Sequence, residues 1–85
     1  MIPVNLEEAI KALDEELLDE DKEIIKENKS IAFHYSLGVW IRNNWMLWAD
    51  SELKQNISKI TGFEHPDDIS NYIIKEYKKH LENKK

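Results

Sequence analysis

Five of the eight aromatic side chains, all three tryptophans among them, lie between Phe33 and Trp48. Apart from His34, the only side chain there that can carry charge is Arg42, and the stretch contains no proline. It reads as one long helix over about residues 31–48. At about 100° per residue, Phe33, Leu37, Trp40, Ile41, Asn44, Leu47 and Trp48 share one broad face, the expected core face. The opposite side of an ordinary helix is charged. Here it carries His34, Tyr35, Gly38, Arg42, Trp45 and Met46. A helix that is apolar nearly all round is covered on both sides, within its own domain or by something else.

The rest of the chain supplies limited cover. Asn5 with Glu8 forms an N-cap and its box partner, with Val4 set to staple onto Ala9, ahead of Leu6, Ala9, Ile10, Leu13 and Leu17 at helical spacing. Asp19 is the expected cap of a short second helix that runs to Glu27, with Ile24 and Ile25 as its apolar pair. Ser30 is the expected cap of the tryptophan-rich helix. Asp50 or Ser51 caps a fourth helix, which carries Leu53, Ile57 and Ile60 and stops at Gly62. In His65-Pro66-Asp67-Asp68 a helix starts, with Pro at its first position and two carboxylates at its positive end. That helix presents Ile69, Ile73 and Tyr77 and ends near Leu81, with Lys78, Lys79, Lys84 and Lys85 as a solvated end. The expected fold is all-α: one domain over residues 1–85, five helices, the tryptophan-rich one central. In 85 residues the core is thin, so the uncovered face points to a homo-oligomer interface or a ligand pocket.

Charge and composition exclude several classes. The net charge is −5, and residues 1–29 hold ten acidic against four basic side chains. An acidic third with no basic stripe elsewhere repels phosphate backbones, so a nucleic-acid partner is not expected. There is no cysteine, hence no disulfide, thiolate metal site or cysteine nucleophile. No apolar run nears the roughly 18 residues of a membrane span. Met1-Ile2-Pro3-Val4-Asn5 shows no basic-then-apolar leader, which makes the cytoplasm the expected location and leaves no membrane partner.

Arg42 is the one arginine among twelve basic residues. Where Lys serves every solvated position, a lone guanidinium answers a geometric need: planar two-point contact to an anion, or stacking on a ring. Two readings stand side by side. Arg42 pairs with Asp67, Asp68 or the acidic N-terminal segment as scaffold, or with Asn43, His34, Tyr35 and Trp45 it contacts a ligand or partner. Gly38 inside a helix needs a close neighbour, a crossing backbone or a flat group. His34, His65, Asp67 and Asp68 make a weak metal set, because helix-start capping already accounts for three of them. Ser36, His34 and Asp68 form a triad only on paper, with no nucleophile elbow or oxyanion motif beside them. No motif calls for a cofactor.

The string Leu37-Gly38-Val39-Trp40-Ile41-Arg42-Asn43-Asn44-Trp45-Met46-Leu47-Trp48, followed by His65-Pro66-Asp67-Asp68-Ile69-Ser70, then Ile73, Ile74 and Tyr77, resembles a family of small bacterial and phage proteins catalogued as a domain of unknown function. The resemblance covers about half the chain and brings no activity with it. It implies that the Arg-Asn-Asn-Trp segment and the His-Pro-Asp-Asp helix start share one cluster. It also implies a small residue at position 46, where this chain has Met.

These readings converge on a non-enzymatic binding protein, with His34, Tyr35, Arg42, Asn43, Trp45, Met46, His65 and Asp68 as its candidate contact residues. The ligand expected first is a small, nucleotide-like anion held by the Arg/Asn/Trp cluster. The alternative is an inhibitor- or immunity-type regulator that docks a protein on the second face of the central helix. Polar groups left open to solvent favour the first, and an exposed apolar stripe the second.

Overall fold

A computed structural model of the chain describes residues 2–83. Met1, Lys84 and Lys85 lie outside them, the last two being lysines expected at the solvated C-terminal end. The described residues form five helices: α1 (Leu6–Glu16), α2 (Asp19–Glu27), α3 (Ile31–Asn44), α4 (Glu52–Thr61) and α5 (Pro66–Asn83). None is long and apolar enough to cross a membrane.

Most helix starts follow from local chemistry. The Asn5 side chain accepts from Glu8 N–H at 2.9 Å, and the Glu8 carboxylate accepts from Val4 N–H at 3.1 Å. Ser30 accepts from Phe33 N–H and Ser51 from Lys54 N–H, which satisfies otherwise orphaned donors of α3 and α4. At α5, His65 Nδ1 accepts from Asp67 N–H at 3.1 Å, with Pro66 as the first helical residue. Gly62 closes α4 at φ +81, a left-handed conformation natural to glycine. Asp19 differs from its expected role. It is the first residue of α2, and the box is made by Asp21, whose carboxylate accepts from Leu18 N–H.

The organising element is α5 and not the tryptophan-rich α3. It packs against α1, α2, α3 and α4, burying Ile69, Ser70, Ile73, Ile74, Tyr77 and Leu81. Ala9 and Leu13 of α1, Ile25 of α2, Leu37 and Ile41 of α3, Trp45 and Leu47 just beyond it, and Leu53 and Ile57 of α4 complete the core. Within it Tyr77 donates to the Asp14 carboxylate at 3.1 Å. Burial first, then that hydrogen bond and the carboxylate's charge, hold the phenol protonated well above its ordinary range.

α3 packs chiefly on α5, and its orientation departs from expectation. Its buried arc is Leu37, Gly38, Ile41 and Arg42, continued by Trp45. Trp45, expected on the second face, is 4% exposed, whereas Trp40 is 38% exposed and Trp48 61%. Asn44, expected in the core, is exposed and donates to the Trp40 carbonyl of its own helix at 2.9 Å. Trp40 and Trp45 meet edge to face with centroids 5.7 Å apart, so Trp40 serves as a lid on Trp45.

The helix also stops four residues early. Leu47 N–H donates to Arg42 O at 3.0 Å, and Met46 has φ +56. This is a Schellman ending with Met46 in the left-handed position usually held by glycine. It turns Leu47 fully inward and Trp48 outward. Glycine is the residue this backbone position favours.

Two stability outcomes follow. Trp45→Ala should cost about 3–5 kcal/mol and Trp40→Ala about 1–2 kcal/mol in equilibrium urea denaturation, since only the first empties a closed core site. Met46→Gly should stabilise by about 1 kcal/mol in the same assay, because relief of the left-handed penalty outweighs glycine's extra chain entropy. An equal loss for both tryptophans would contradict this packing, as a destabilised Met46→Gly would contradict this helix ending.

Candidate functional site

One edge of α3 repeats at three- and four-residue spacing: Ile31, His34, Tyr35, Gly38, Arg42. With Trp48 beyond the helix and Asp67 and Asn71 on α5, it bounds a cleft of about 640 Å³.

The floor of the cleft is polar and centres on Arg42. Arg42 is only 8% exposed. Its Nη1 donates to Ser70 Oγ at 2.9 Å, and that hydroxyl donates to the Asp67 backbone carbonyl at 3.0 Å. Arg42 Nε comes within 3.2 Å of Asp67 Oδ1. Its N–H is turned off that oxygen, so the contact is a charge pair and not a hydrogen bond. Gly38 is the seat for the guanidinium. A Cβ there would stand 3.1 Å from Arg42 Nη1 and 3.7 Å from Ser70 Oγ. The close neighbour that Gly38 required is therefore a side chain, not a backbone or a ligand.

The rim is apolar and open. Ile31 is 89% exposed and Tyr35 69%. Trp48 joins them, its Nε1–H donating to Asn43 Oδ1 at 3.1 Å. Apart from His34, half-buried in the wall, the charged side chains of the cleft are Arg42 and Asp67, which offset each other.

Of the residues singled out in the sequence, His34, Tyr35, Arg42 and Asn43 come together here. Trp45 is in the core and Met46 ends α3, so neither lines this cleft. His65 caps α5 from outside the cleft, 3.8 Å from the Asp67 carboxylate. Asp68 does not line this cleft; it lies in a neighbouring groove with Phe63, Tyr72 and Lys75, which touches the cleft at Asn71. Ser36 lies in another groove beside Trp40, away from both His34 and Asp68. Among the described residues, no three His, Asp or Glu side chains are grouped to hold a metal ion. Of the two scaffold partners weighed for Arg42 on α5, the structure selects Asp67.

Sequence reasoning missed Ser70, Asn71 and the outward turn of Trp48. Ser70 carried a signal: a small polar residue on the buried face of α5, between Ile69 and Ile73, needs a polar partner.

The class is a small all-helical domain with an apolar-rimmed cleft. The chain belongs to the family described as Domain of unknown function (DUF6794), whose sequence profile matches residues 2–81. No curated protein and no solved structure matches it. The Arg42 segment and the His65–Ser70 helix start do meet, through Arg42, Asp67 and Ser70.

The seat is testable by a double-mutant cycle. Gly38→Ala gains about 1 kcal/mol of helix propensity but pushes Nη1 off Ser70, a charged hydrogen bond of about 1.5–3 kcal/mol. The net should be a loss of about 1 kcal/mol that turns into a gain in an Arg42→Ala background, read by urea denaturation. The same sign in both backgrounds would mean that Gly38 is not there for Arg42.

Proposed function

We propose that this chain is a non-enzymatic binding protein that docks a protein partner on the α3–α5 cleft. The observation that carries the reading is the division of labour in that cleft. Three large apolar side chains, Ile31, Tyr35 and Trp48, stand exposed on one rim, while on the floor Arg42 is bound to Ser70 and charge-paired with Asp67. Exposed clustered aromatics are what partner-binding surfaces offer, and Tyr and Trp are the usual anchors. A small anion is less well served. The one arginine is spent on Asp67 and Ser70, and a phosphate would have to displace a carboxylate to reach it. This ordering reverses the preference drawn from sequence. A regulator of this kind suits a cytoplasmic chain with the pattern of small bacterial and phage proteins, and the same rim suits a second copy of the chain.

The test is selection of displayed random 16-residue peptides against the full chain, with parallel titration of ATP, GTP and NAD. Enriched peptides should bind in the micromolar range, and Tyr35→Ala or Ile31→Lys should weaken them about tenfold or more, as loss of an interface anchor does. Circular dichroism should show both variants folded, because the two side chains are exposed. Peptides indifferent to both substitutions would overturn docking on this rim. Saturable nucleotide binding without peptide binding would hand the cleft to the small-anion reading.

A further inference from the structure

The cleft does not end at His34. A second groove of about 280 Å³ continues past it between α2, α3 and α5, and the two share His34 and Asn71. Together they form a trough flanked by α3 from Asn43 back to Ile31, about 18 Å at 1.5 Å per residue. Trp48, Tyr35 and Ile31 stand along its first part, His34 and Asn71 at the join, and Lys75 and Lys78 of α5 at the far end.

Charge along the trough is one-sided. Arg42 is matched by Asp67, and Lys78 is bound by Glu82 at 2.9 Å. Lys75 is exposed and has no ion pair among the described residues. The trough therefore has an apolar rim at Ile31, Tyr35 and Trp48, a polar floor, and a cationic end, on a chain whose net charge is −5.

The walls also fix the backbone form of what lies between them. Both are helices whose backbone groups are paired internally, with no strand edge nearby among the described residues. An extended peptide would leave its own N–H and C=O groups unmatched there, whereas a helix brings its backbone already satisfied. Resting on the docking reading above, we infer that the trough takes an amphipathic partner helix of about three turns, whose apolar face meets Trp48, Tyr35 and Ile31 and whose terminal Asp or Glu pairs with Lys75. His34 and Asn71 at the waist offer polar contacts that fix its register.

The experiment uses peptides enriched by display on the full chain, synthesised with a fluorophore and read by anisotropy. They should gain helical circular dichroism on binding and carry an acidic residue at one end of the apolar stripe. Replacing that residue by Gln should weaken binding about fivefold, and by Lys about fiftyfold, the range of one close charge pair. Lys75→Glu should reverse the order, so that the Lys peptide binds better than the acidic one. Tyr35→Ala should weaken all versions alike. Peptides lost with Tyr35→Ala but indifferent to their own charge and to Lys75→Glu would overturn this inference and leave the docking reading standing. Peptides indifferent to Tyr35 would overturn both. A dimer in sedimentation that Tyr35→Ala dissociates would assign the trough to a second copy and overturn the acidic helix.

Discussion

A guanidinium lying on a glycine sets how α3 sits on α5, and the exposed surface follows from that. Burying a cation costs several kcal/mol unless its charge and its donors are both met. Here Nη1 donates to Ser70 Oγ, and the Asp67 carboxylate, 3.2 Å from Nε, supplies the countercharge without a hydrogen bond from that nitrogen. An ammonium is a point charge without the two spaced nitrogens of a planar guanidinium, which suits the chain's single arginine to this place. Gly38 leaves room for the group, and Ser70, fully buried, passes its own hydrogen on to a carbonyl in the first turn of α5. With that contact made, α3 is fixed in rotation about its axis. Leu37, Ile41 and Trp45 then point inward. Ile31, Tyr35 and Trp48 are left outside.

That remainder reflects supply as much as geometry. α5 is wrapped by four partners and spends its buried face on Ile69, Ile73, Ile74, Tyr77 and Leu81. α1 and α2 are strongly acidic and present narrow apolar stripes, with α2 burying only Ile25. Among the described residues no further helix lies over the outer edge of α3. The edge therefore stays bare, although its residue types are those that chains of this size ordinarily bury.

How much of this was legible in the sequence depended on whether a local signal existed. The capping residues Asn5, Ser30, Ser51 and Gly62 and the His65-Pro66 start are chemistry of adjacent residues, and each fell where its neighbours placed it. The rotation of α3 had no such signal. With apolar groups on every side its hydrophobic vector is weak, so helical arithmetic alone set Trp40 and Trp48 inward and Trp45 outward. A long-range polar contact, not burial of the most apolar face, decided the matter. The early end of α3 was hidden differently. The Schellman turn needs a left-handed residue, and Met46 fills that position without the glycine that would have announced it. Arg42 was legible as special by its singularity. Of its partners, Asp67 was among the carboxylates weighed for it, while Ser70, 28 residues away, was not.

The rim proposed above as a docking surface is ordered by these same restraints. Trp48 is tied to Asn43 through its indole N–H, and Arg42 is locked below, so two of the larger groups of the cleft are held before anything binds. Association costs roughly 0.5–1.5 kcal/mol for each long side chain that must be immobilised. A cleft whose floor and one rim anchor are already ordered avoids part of that cost. Tyr35, with two torsions and a rigid ring, adds area at little further entropy. The polar network that spends Arg42 on the scaffold is thus what holds the apolar rim open, and a shape held in advance favours one complementary face over many poor ones.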